Sequence, residues 1–184
     1  MAKRTPGIFY VNSKTTSPHL SEEVFTRWYH DVHIPDILAT SGINSASRWK
    51  SIKLESVERP FLAFYPCNLE FLHTTEFFDI PTASELLSDP DCTNGSSFGV
   101  ADFDTRGYER IWKEDDGTKG PREYLITVMF DTSSEDFKKL VQEAAPSDVK
   151  PSRAQLYELN FAWPMPGPEL KTKPAKYLAM AGLY

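Results

Sequence analysis

The sequence has little of what marks several large classes of protein. Its 184 residues include two cysteines, Cys67 and Cys92, which lack CxxC spacing and are too few for a disulfide scaffold, although they could still pair if the fold brings them together. No run approaches the ~18 apolar residues that a membrane span requires, and nothing near the first residue resembles a signal peptide. We therefore expect a cytoplasmic protein that does not enter a membrane.

Positive charge is also scarce. Lys and Arg number 20 against 26 Asp and Glu, which gives a formal net charge of −6. Without a basic patch, nucleic acid and anionic lipid are not expected partners. There is no Gly-rich phosphate loop, no Gly-x-Ser-x-Gly and no HExxH. These absences disfavour nucleotide, flavin and serine-hydrolase mechanisms, and we expect no bound metal and no cofactor.

Aromatic residues, in contrast, are abundant. The chain has 12 Phe, 8 Tyr and 4 Trp, together 13% of its positions, within an overall hydrophobic fraction of 40%. Such a composition supports a packed core, and it supplies enough rings to line a cavity for a small molecule.

The first half alternates strand and helix patterns. A β-rich run near residues 7–12 is followed by a helix capped by Ser21, whose Phe25, Trp28, Tyr29 and Val32 form one buried stripe. Pro35 should kink or end this helix. Further strands are expected at residues 45–54, 60–69 and about 101–112, with a short helix starting from a capping box at 82–85.

The pattern starts again after a polar connector at residues 114–121. A strand at Tyr124–Phe130, a helix with Phe137, Leu140, Val141 and Ala144 on one face, and strands at Arg153–Trp163 and Tyr177–Tyr184 follow. We therefore divide the chain into a first unit (1–113), a linker (114–121) and an incomplete second unit (122–184). The second unit is either a degenerate copy of the first or the start of a longer one.

This element order predicts an α+β fold built from two ferredoxin-like units. Each unit would be an antiparallel sheet with helices on one face. The bare faces of two such sheets can pack on each other, which gives an internally duplicated pseudo-dimer with an enclosed space for a small molecule.

One segment carries a family resemblance. Trp28-Tyr29, three residues, then His33-Ile34-Pro35, followed by Gly42 and by Arg48-Trp49 at the start of a strand, resembles the signature of EthD-like proteins of the dimeric α/β-barrel superfamily. A later stretch, Asp104-Thr105-Arg106 to Tyr108-Glu109, is similar to the fourth strand of fungal, internally duplicated relatives. The resemblance implies a barrel-like fold and cofactor-independent chemistry on polyketide-like or aromatic molecules, as by lyases, cyclases and isomerases of secondary metabolism.

The resemblance also implies roles for individual residues. The family's helix histidine falls on His33 and its strand arginine on Arg48, while His30 is an extra histidine at a position that is usually acidic or polar. On an α-helical wheel His33 lies at the border of the buried stripe, where a histidine can act as a general acid or base. An inward Arg48 could hold a carboxylate or an enolate, and an outward one would be ordinary surface.

Several aromatic residues are candidate substrate contacts: Trp28, Tyr29, Tyr65, Tyr157 and Trp163. Tyrosines could donate hydrogen bonds to a substrate carbonyl or simply fill the core. His30 and His33 could share a metal, but no third ligand stands at a convincing spacing.

We therefore predict a cofactor-independent enzyme that cyclises, decarboxylates or isomerises an aromatic or polyketide-like substrate, with His33 or His30 moving a proton. The alternatives are a non-catalytic barrel that holds a hydrophobic small molecule and a barrel that binds haem through a histidine. Whether two chains associate as a homodimer is left open.

Overall fold

The computed structural model describes residues 4–54, 57–90, 92–115, 117, 123–131, 153–163 and 173–183. These residues form a mixed α/β structure with one antiparallel sheet and few helices. The seven strands are β1 (Pro6–Thr15), β2 (Ser47–Lys50), β3 (Phe61–Asn68), β4 (Ala101–Asp115), β5 (Tyr124–Phe130), β6 (Arg153–Trp163) and β7 (Tyr177–Leu183).

The strands follow the order β2-β3-β1-β4-β6-β7-β5 across the sheet. In the first half β3 lies between β1 and β2, the split arrangement expected of a ferredoxin-like unit. In the second half β7 likewise lies between β5 and β6. The halves meet where β4 pairs with β6. They therefore join edge to edge in one sheet and do not pack as two separate sheets.

The central strand β1 is buried on both sides. Its alternate residues point to opposite faces of the sheet, so Phe9 and Val11 lie on the face covered by helices, while Ile8 and Tyr10 lie on the other. We call these the helix-covered face and the inner face. All four side chains are buried, which explains why residues 8–11 of β1 form an unbroken apolar run in the sequence.

The inner face is curled. It holds one apolar cluster to which all seven strands contribute, including Trp49 of β2 and Leu125 of β5 from the two edges of the sheet. Arg106 Nη1 of β4 lies 3.4 Å from Met129 Sδ of β5, although two strands separate β4 from β5. Strands three places apart would be about 14 Å apart in a flat sheet, so the sheet must bend around this face.

A buried ionic network occupies the same inner face. Arg106 donates to Asp104 twice, from Nε to Oδ1 at 2.9 Å and from Nη2 to Oδ2 at 2.5 Å, and its Nη1 donates to Tyr108 Oη at 3.1 Å. All three residues are buried. The carboxylate therefore neutralises a guanidinium that is shielded from water.

One helical segment packs on the helix-covered face. It consists of α1 (Glu22–Trp28), a π-helical turn (Tyr29–His33) and α2 (Ile34–Leu38). Ser21 caps α1 as predicted, its Oγ accepting from the Val24 N–H at 3.2 Å. Pro35 lies in the first turn of α2, where its ring would clash with a carbonyl four residues earlier in a continuous α-helix. The helix accordingly changes its winding before Pro35 and then continues.

The connection from β3 to β4 is built from short turns. It contains 3₁₀ turns at Leu69–His73 and Glu85–Leu87 and the single-turn helices α3 (Thr75–Phe78) and α4 (Ser97–Val100). The capping box expected at residues 82–85 yields only one of these turns, with Ser84 Oγ accepting from the Leu86 N–H at 3.3 Å.

Some of the other sequence-based predictions are confirmed, some differ from the structure, and some lie outside the described residues. The predicted bounds of β5 and β6 are confirmed, whereas β2 has only four residues and β4 extends to Asp115. The helix expected around Phe137 to Ala144 and most of the 114–121 connector lie outside the described residues. Cys67 and Cys92 are free thiols. No helix in the described ranges is long and apolar enough to cross a bilayer.

Replacing Asp104 with alanine should strongly destabilise the protein. The change leaves the Arg106 guanidinium buried without its anionic partner, which costs about 3–5 kcal/mol in the free energy of unfolding. Urea-induced unfolding measures the loss. The double variant Asp104→Leu/Arg106→Met should recover most of it. Lys176→Ala, which breaks an exposed ion pair with Glu158, should cost less than about 1 kcal/mol. Equal effects of the two single variants would contradict this account.

Candidate functional site

A cavity of about 470 Å³ lies between the helix-covered face and the helical segment. Among the described side chains that line it, none is Asp, Glu, Lys or Arg, and nine carry a Phe, Tyr or Trp ring. The lining residues are Phe9, Val11, Trp28, Tyr29, His33, Ile37, Tyr65, Phe77, Phe78, Ile80, Thr82, Ser97, Phe98, Phe103, Thr105 and Trp163. The expected small-molecule space therefore lies beside the helices and not between two sheets.

Strand pairing places the lining residues of the sheet. Phe9 and Val11 of β1 lie in the middle; Tyr65 of β3 pairs with Phe9 on one side, and Thr105 of β4 pairs with Val11 on the other. Thr105 in turn pairs with Trp163 of β6. The alternation of side chains along each strand thus brings residues from four neighbouring strands to one wall of the cavity.

The π-helical turn brings His33 to the cavity. The Ile34 N–H donates to the Tyr29 carbonyl, five residues earlier, as the wider π winding requires. The His33 ring stacks on the Trp28 ring at 4.7 Å between centroids and 16° between planes. In a regular α-helix two residues five apart would point about 140° away from each other. The local change in winding is therefore what places His33 beside Trp28, whereas Tyr29, four residues before His33, would be its neighbour in an α-helix as well.

His33 is held in its neutral form. Burial lowers the pKa of His33 to about 4, and the Pro81 carbonyl and Asp36 only partly offset this effect. Nδ1 is buried and has no hydrogen-bond partner among the described residues, so the ring's bond to the Pro81 carbonyl comes from Nε2–H. Near neutral pH the imidazole thus keeps a free lone pair on Nδ1, which is the state required of a proton acceptor.

Arg48 lies behind the cavity wall. It faces the helices from β2, with its Cζ 4.6 Å from the centre of the Tyr29 ring and 5.2 Å from that of Phe61. Its Nε and Nη2 are buried without a hydrogen-bond partner in the described ranges, and burial lowers the pKa of Arg48. The guanidinium is therefore held mainly by aromatic faces.

Two tyrosines connect Arg48 with the cavity. Burial raises the pKa of Tyr29 to about 12 and that of Tyr65 well above its ordinary value, while the positive charge of Arg48 acts on both in the opposite direction. Tyr29 is hydrogen-bonded to Ser13. Tyr65 Oη is buried and has no partner among the residues described. Both phenols are protonated at neutral pH, and Tyr65 is the one with a hydrogen to give.

Aromatic rings also form the more exposed side of the cavity. Phe77 stacks on Trp163 at 5.5 Å, Phe78 lies 5.9 Å from the same indole, and Phe78 is 63% exposed. Phe77 and Phe78 belong to α3, an element absent from the sequence-based prediction because a single helical turn has no recognisable periodicity.

The structure brings together most of the predicted site residues but not all of them. Five line the cavity: Trp28, Tyr29, His33, Tyr65 and Trp163. Arg48 stands one layer behind them. His30 is exposed and is not part of the lining, and Tyr157 is buried on the inner face, where its hydroxyl is hydrogen-bonded to Gln155.

Sequence reasoning found Tyr65 of β3 and Trp163 of β6 but missed the contribution of β1 and β4. Phe9, Val11 and Thr105 line the cavity because they alternate along β1 and β4 with residues of the inner face. Assigning each strand residue to a face would have found them, since the period of two was already evident.

The described residues do not gather a metal site. No group of three or more His, Cys, Asp or Glu side chains among them is placed to hold an ion. His30 and His33 do not converge, because His33 lines the cavity and His30 is exposed.

Comparison with known proteins identifies no family for this chain. No family model and no curated protein matches the sequence. One solved structure to which the chain is similar is described as an anthrone oxidase-like protein; it is 11% identical, the match covers 96% of this chain and 73% of that one, and the TM-score is 0.48. A likeness of this size decides neither fold nor activity, which rest on the residues themselves.

The stability of the protein should depend on pH through His33. Because the pKa of His33 is lower in the folded protein than the ordinary value of about 6.5, the unfolded chain binds more protons between pH 6.5 and 4. The contribution of His33 to stability is therefore fully present above pH 6.5, and the free energy of unfolding falls by up to about 3 kcal/mol as the pH drops towards 4. Urea unfolding across this range measures the slope.

Two histidine variants identify the group that causes this pH dependence of stability. His33→Gln removes the titrating group and should flatten the curve between pH 6.5 and 4, whereas His30→Gln, at the exposed neighbouring histidine, should leave it unchanged. A slope that survives in His33→Gln would show that another group causes it.

Proposed function

We propose that this protein is an enzyme that moves a proton on an uncharged, largely apolar small molecule held in the cavity, without a cofactor. The observation that carries the proposal is a neutral histidine with a free Nδ1 lone pair in a cavity of aromatic rings whose described lining includes no Asp, Glu, Lys or Arg. A site of this kind excludes water and strengthens each polar contact inside it.

His33 would act as the general base. A C–H bond next to a substrate carbonyl breaks, its proton passes to Nδ1, and the electron pair moves onto the carbonyl oxygen to give an enolate. Return of the same proton to a different carbon gives an isomer with no net oxidation. The enolate carbon could instead attack a second carbonyl of the same molecule and close a ring, and the oxygen of that carbonyl would then take the proton back from His33 to become a hydroxyl. Proton transfer by a positioned base contributes typically 10²–10⁴-fold to the rate.

Tyr65 would stabilise the enolate oxygen. Its hydroxyl is protonated, belongs to the cavity lining and has no partner in the described residues, and the charge of Arg48 acts on it from behind the wall. Arg48 is thereby a positioning residue that polarises Tyr65 and does not touch the substrate. A substrate carboxylate is disfavoured because no Lys or Arg is among the described lining residues, so isomerisation and cyclisation fit better than decarboxylation.

The family and the substrate class are proposed from the sequence resemblance. We infer an EthD-like protein of internally duplicated type, acting on an aromatic or polyketide-like substrate, with residues 1–113 and 122–184 as related halves. The order β6-β7-β5, which repeats β2-β3-β1, supports the duplication. The nine aromatic rings of the lining support an aromatic substrate, because ring faces stack favourably on one another.

Removing the base should abolish turnover but not binding. Purified protein is incubated with a panel of uncharged aromatic ketones, and isomerised or cyclised products are detected by mass spectrometry. His33→Gln should lower kcat by at least 10² with KM nearly unchanged, because the loss falls on the transition state. His30→Gln, at the exposed histidine, is the matched control and should keep full activity.

The same experiment tests a second function, the non-catalytic binding of a hydrophobic small molecule. If ligands bind and quench the fluorescence of Trp28 and Trp163 but no product forms with the wild-type protein, the cavity serves to hold a hydrophobic molecule. Undiminished turnover in a folded His33→Gln variant would overturn the proton-transfer role.

A further inference from the structure

Two hydroxyl groups of the cavity lining are unsatisfied. Tyr65 Oη and Thr105 Oγ1 are both buried, and neither has a hydrogen-bond partner within the part of the chain that the structure describes. Buried hydroxyls in native proteins almost always have a partner, since losing water without replacement is costly. Both groups therefore need an explanation that the fold does not supply.

Neither position requires a hydroxyl for packing. Valine has the shape of threonine and fits a strand at least as well, and phenylalanine would fill the space of Tyr65. With no hydrogen-bonding role inside the described fold, these hydroxyls only reduce its stability. A group that costs stability and lies in a cavity wall points to a ligand.

The two residues lie on opposite sides of β1 in the cavity wall. Tyr65 pairs with Phe9 and Thr105 with Val11, so β1 runs between them and they are two residues apart along it. Strand spacing and rise put the two Cα atoms about 12 Å apart. A ligand that reaches both must cross the Phe9 and Val11 side chains.

We propose that Thr105 and Tyr65 are the two polar anchors of the ligand, which is an uncharged, elongated, largely aromatic molecule with an oxygen at each end. The inference rests on the proposed function in taking the cavity as the binding site, and it adds the substrate class. The described lining lacks Asp, Glu, Lys and Arg, which sets the neutrality, and its aromatic rings favour an aromatic middle.

Ligand entry must uncover the anchors. Both oxygens are covered by protein in the structure, so each has to turn towards the cavity. For Thr105 a rotation about χ1 exchanges the methyl and hydroxyl groups within nearly the same volume. The hydroxyl is therefore close to its binding position without any movement of the backbone.

The stability of the empty protein gives the first test. Thr105→Val and Tyr65→Phe each remove an unsatisfied hydroxyl and keep the shape, so the melting temperature should stay the same or rise. Tyr157→Phe is the matched control, because that buried hydroxyl has a partner in Gln155 and its loss should lower the melting temperature. A marked drop for Thr105→Val or Tyr65→Phe would show that the fold itself satisfies these hydroxyls and would overturn the proposal.

Binding of two uncharged probes gives the second test. Calorimetry compares 4,4′-dihydroxybiphenyl, whose oxygens are at both ends, with 4-hydroxybiphenyl, which has only one. We expect the two-ended probe to bind the wild-type protein about tenfold more tightly, as a second good hydrogen bond allows. Thr105→Val and Tyr65→Phe should each abolish this advantage, and Tyr157→Phe should keep it.

The outcomes separate this proposal from the enzymatic one. Equal affinity of both probes, or an advantage that survives in both anchor variants, overturns the anchors while leaving the cavity as a binding site and His33 as the base. Failure of both probes to bind overturns the anchors and the cavity assignment together. Loss of the two-ended advantage in the variants with no turnover of any ketone supports the anchors and contradicts only the enzyme.

Discussion

The pairing of β4 with β6 is the constraint on which the rest of the structure depends. Strand β4 pairs with β1 from Ala101 to Glu109 and with β6 from Thr105 to Asp115, so it belongs to both halves of the chain. This double pairing unites the strands in one sheet and lets it curl. It also brings Trp163, a residue of the second half, to a cavity whose other described lining residues come from the first.

The two faces of the curled sheet carry different kinds of side chain. Its inner face encloses a guanidinium and a carboxylate that neutralise each other, Arg106 and Asp104, and their hydrogen bonds are made within the protein. Its helix-covered face presents rings, hydroxyls and one histidine to the cavity, and no Asp, Glu, Lys or Arg is among the described lining residues. Residues that alternate along β4 serve both faces, so Thr105 and Arg106 are neighbours in sequence with unrelated roles.

The sequence predicted local features better than their combination. Ser21 as a cap and the bounds of Tyr124–Phe130 and Arg153–Trp163 followed from residue preferences within a few positions. The location of the cavity did not, because it depends on which face of the sheet the helices cover. An α-helical wheel placed His33 at the border of the stripe, since a wheel of constant angle cannot represent a π turn. Phe77 and Phe78 were missed because isolated turns leave no repeat in the sequence.

The π turn also determines how the helical segment responds to a change of one residue in its length. A π turn differs from α winding by one extra residue, so deleting a single residue between Tyr29 and His33 would return the segment to a regular helix. The histidine would then stand four residues after Trp28, a neighbouring position on an α-helix, and would stay beside the indole while the rest of the helix kept its packing face. In evolutionary terms, a π turn of this kind absorbs the insertion of one codon, which in regular α winding would rotate every later residue of the helix by about 100°.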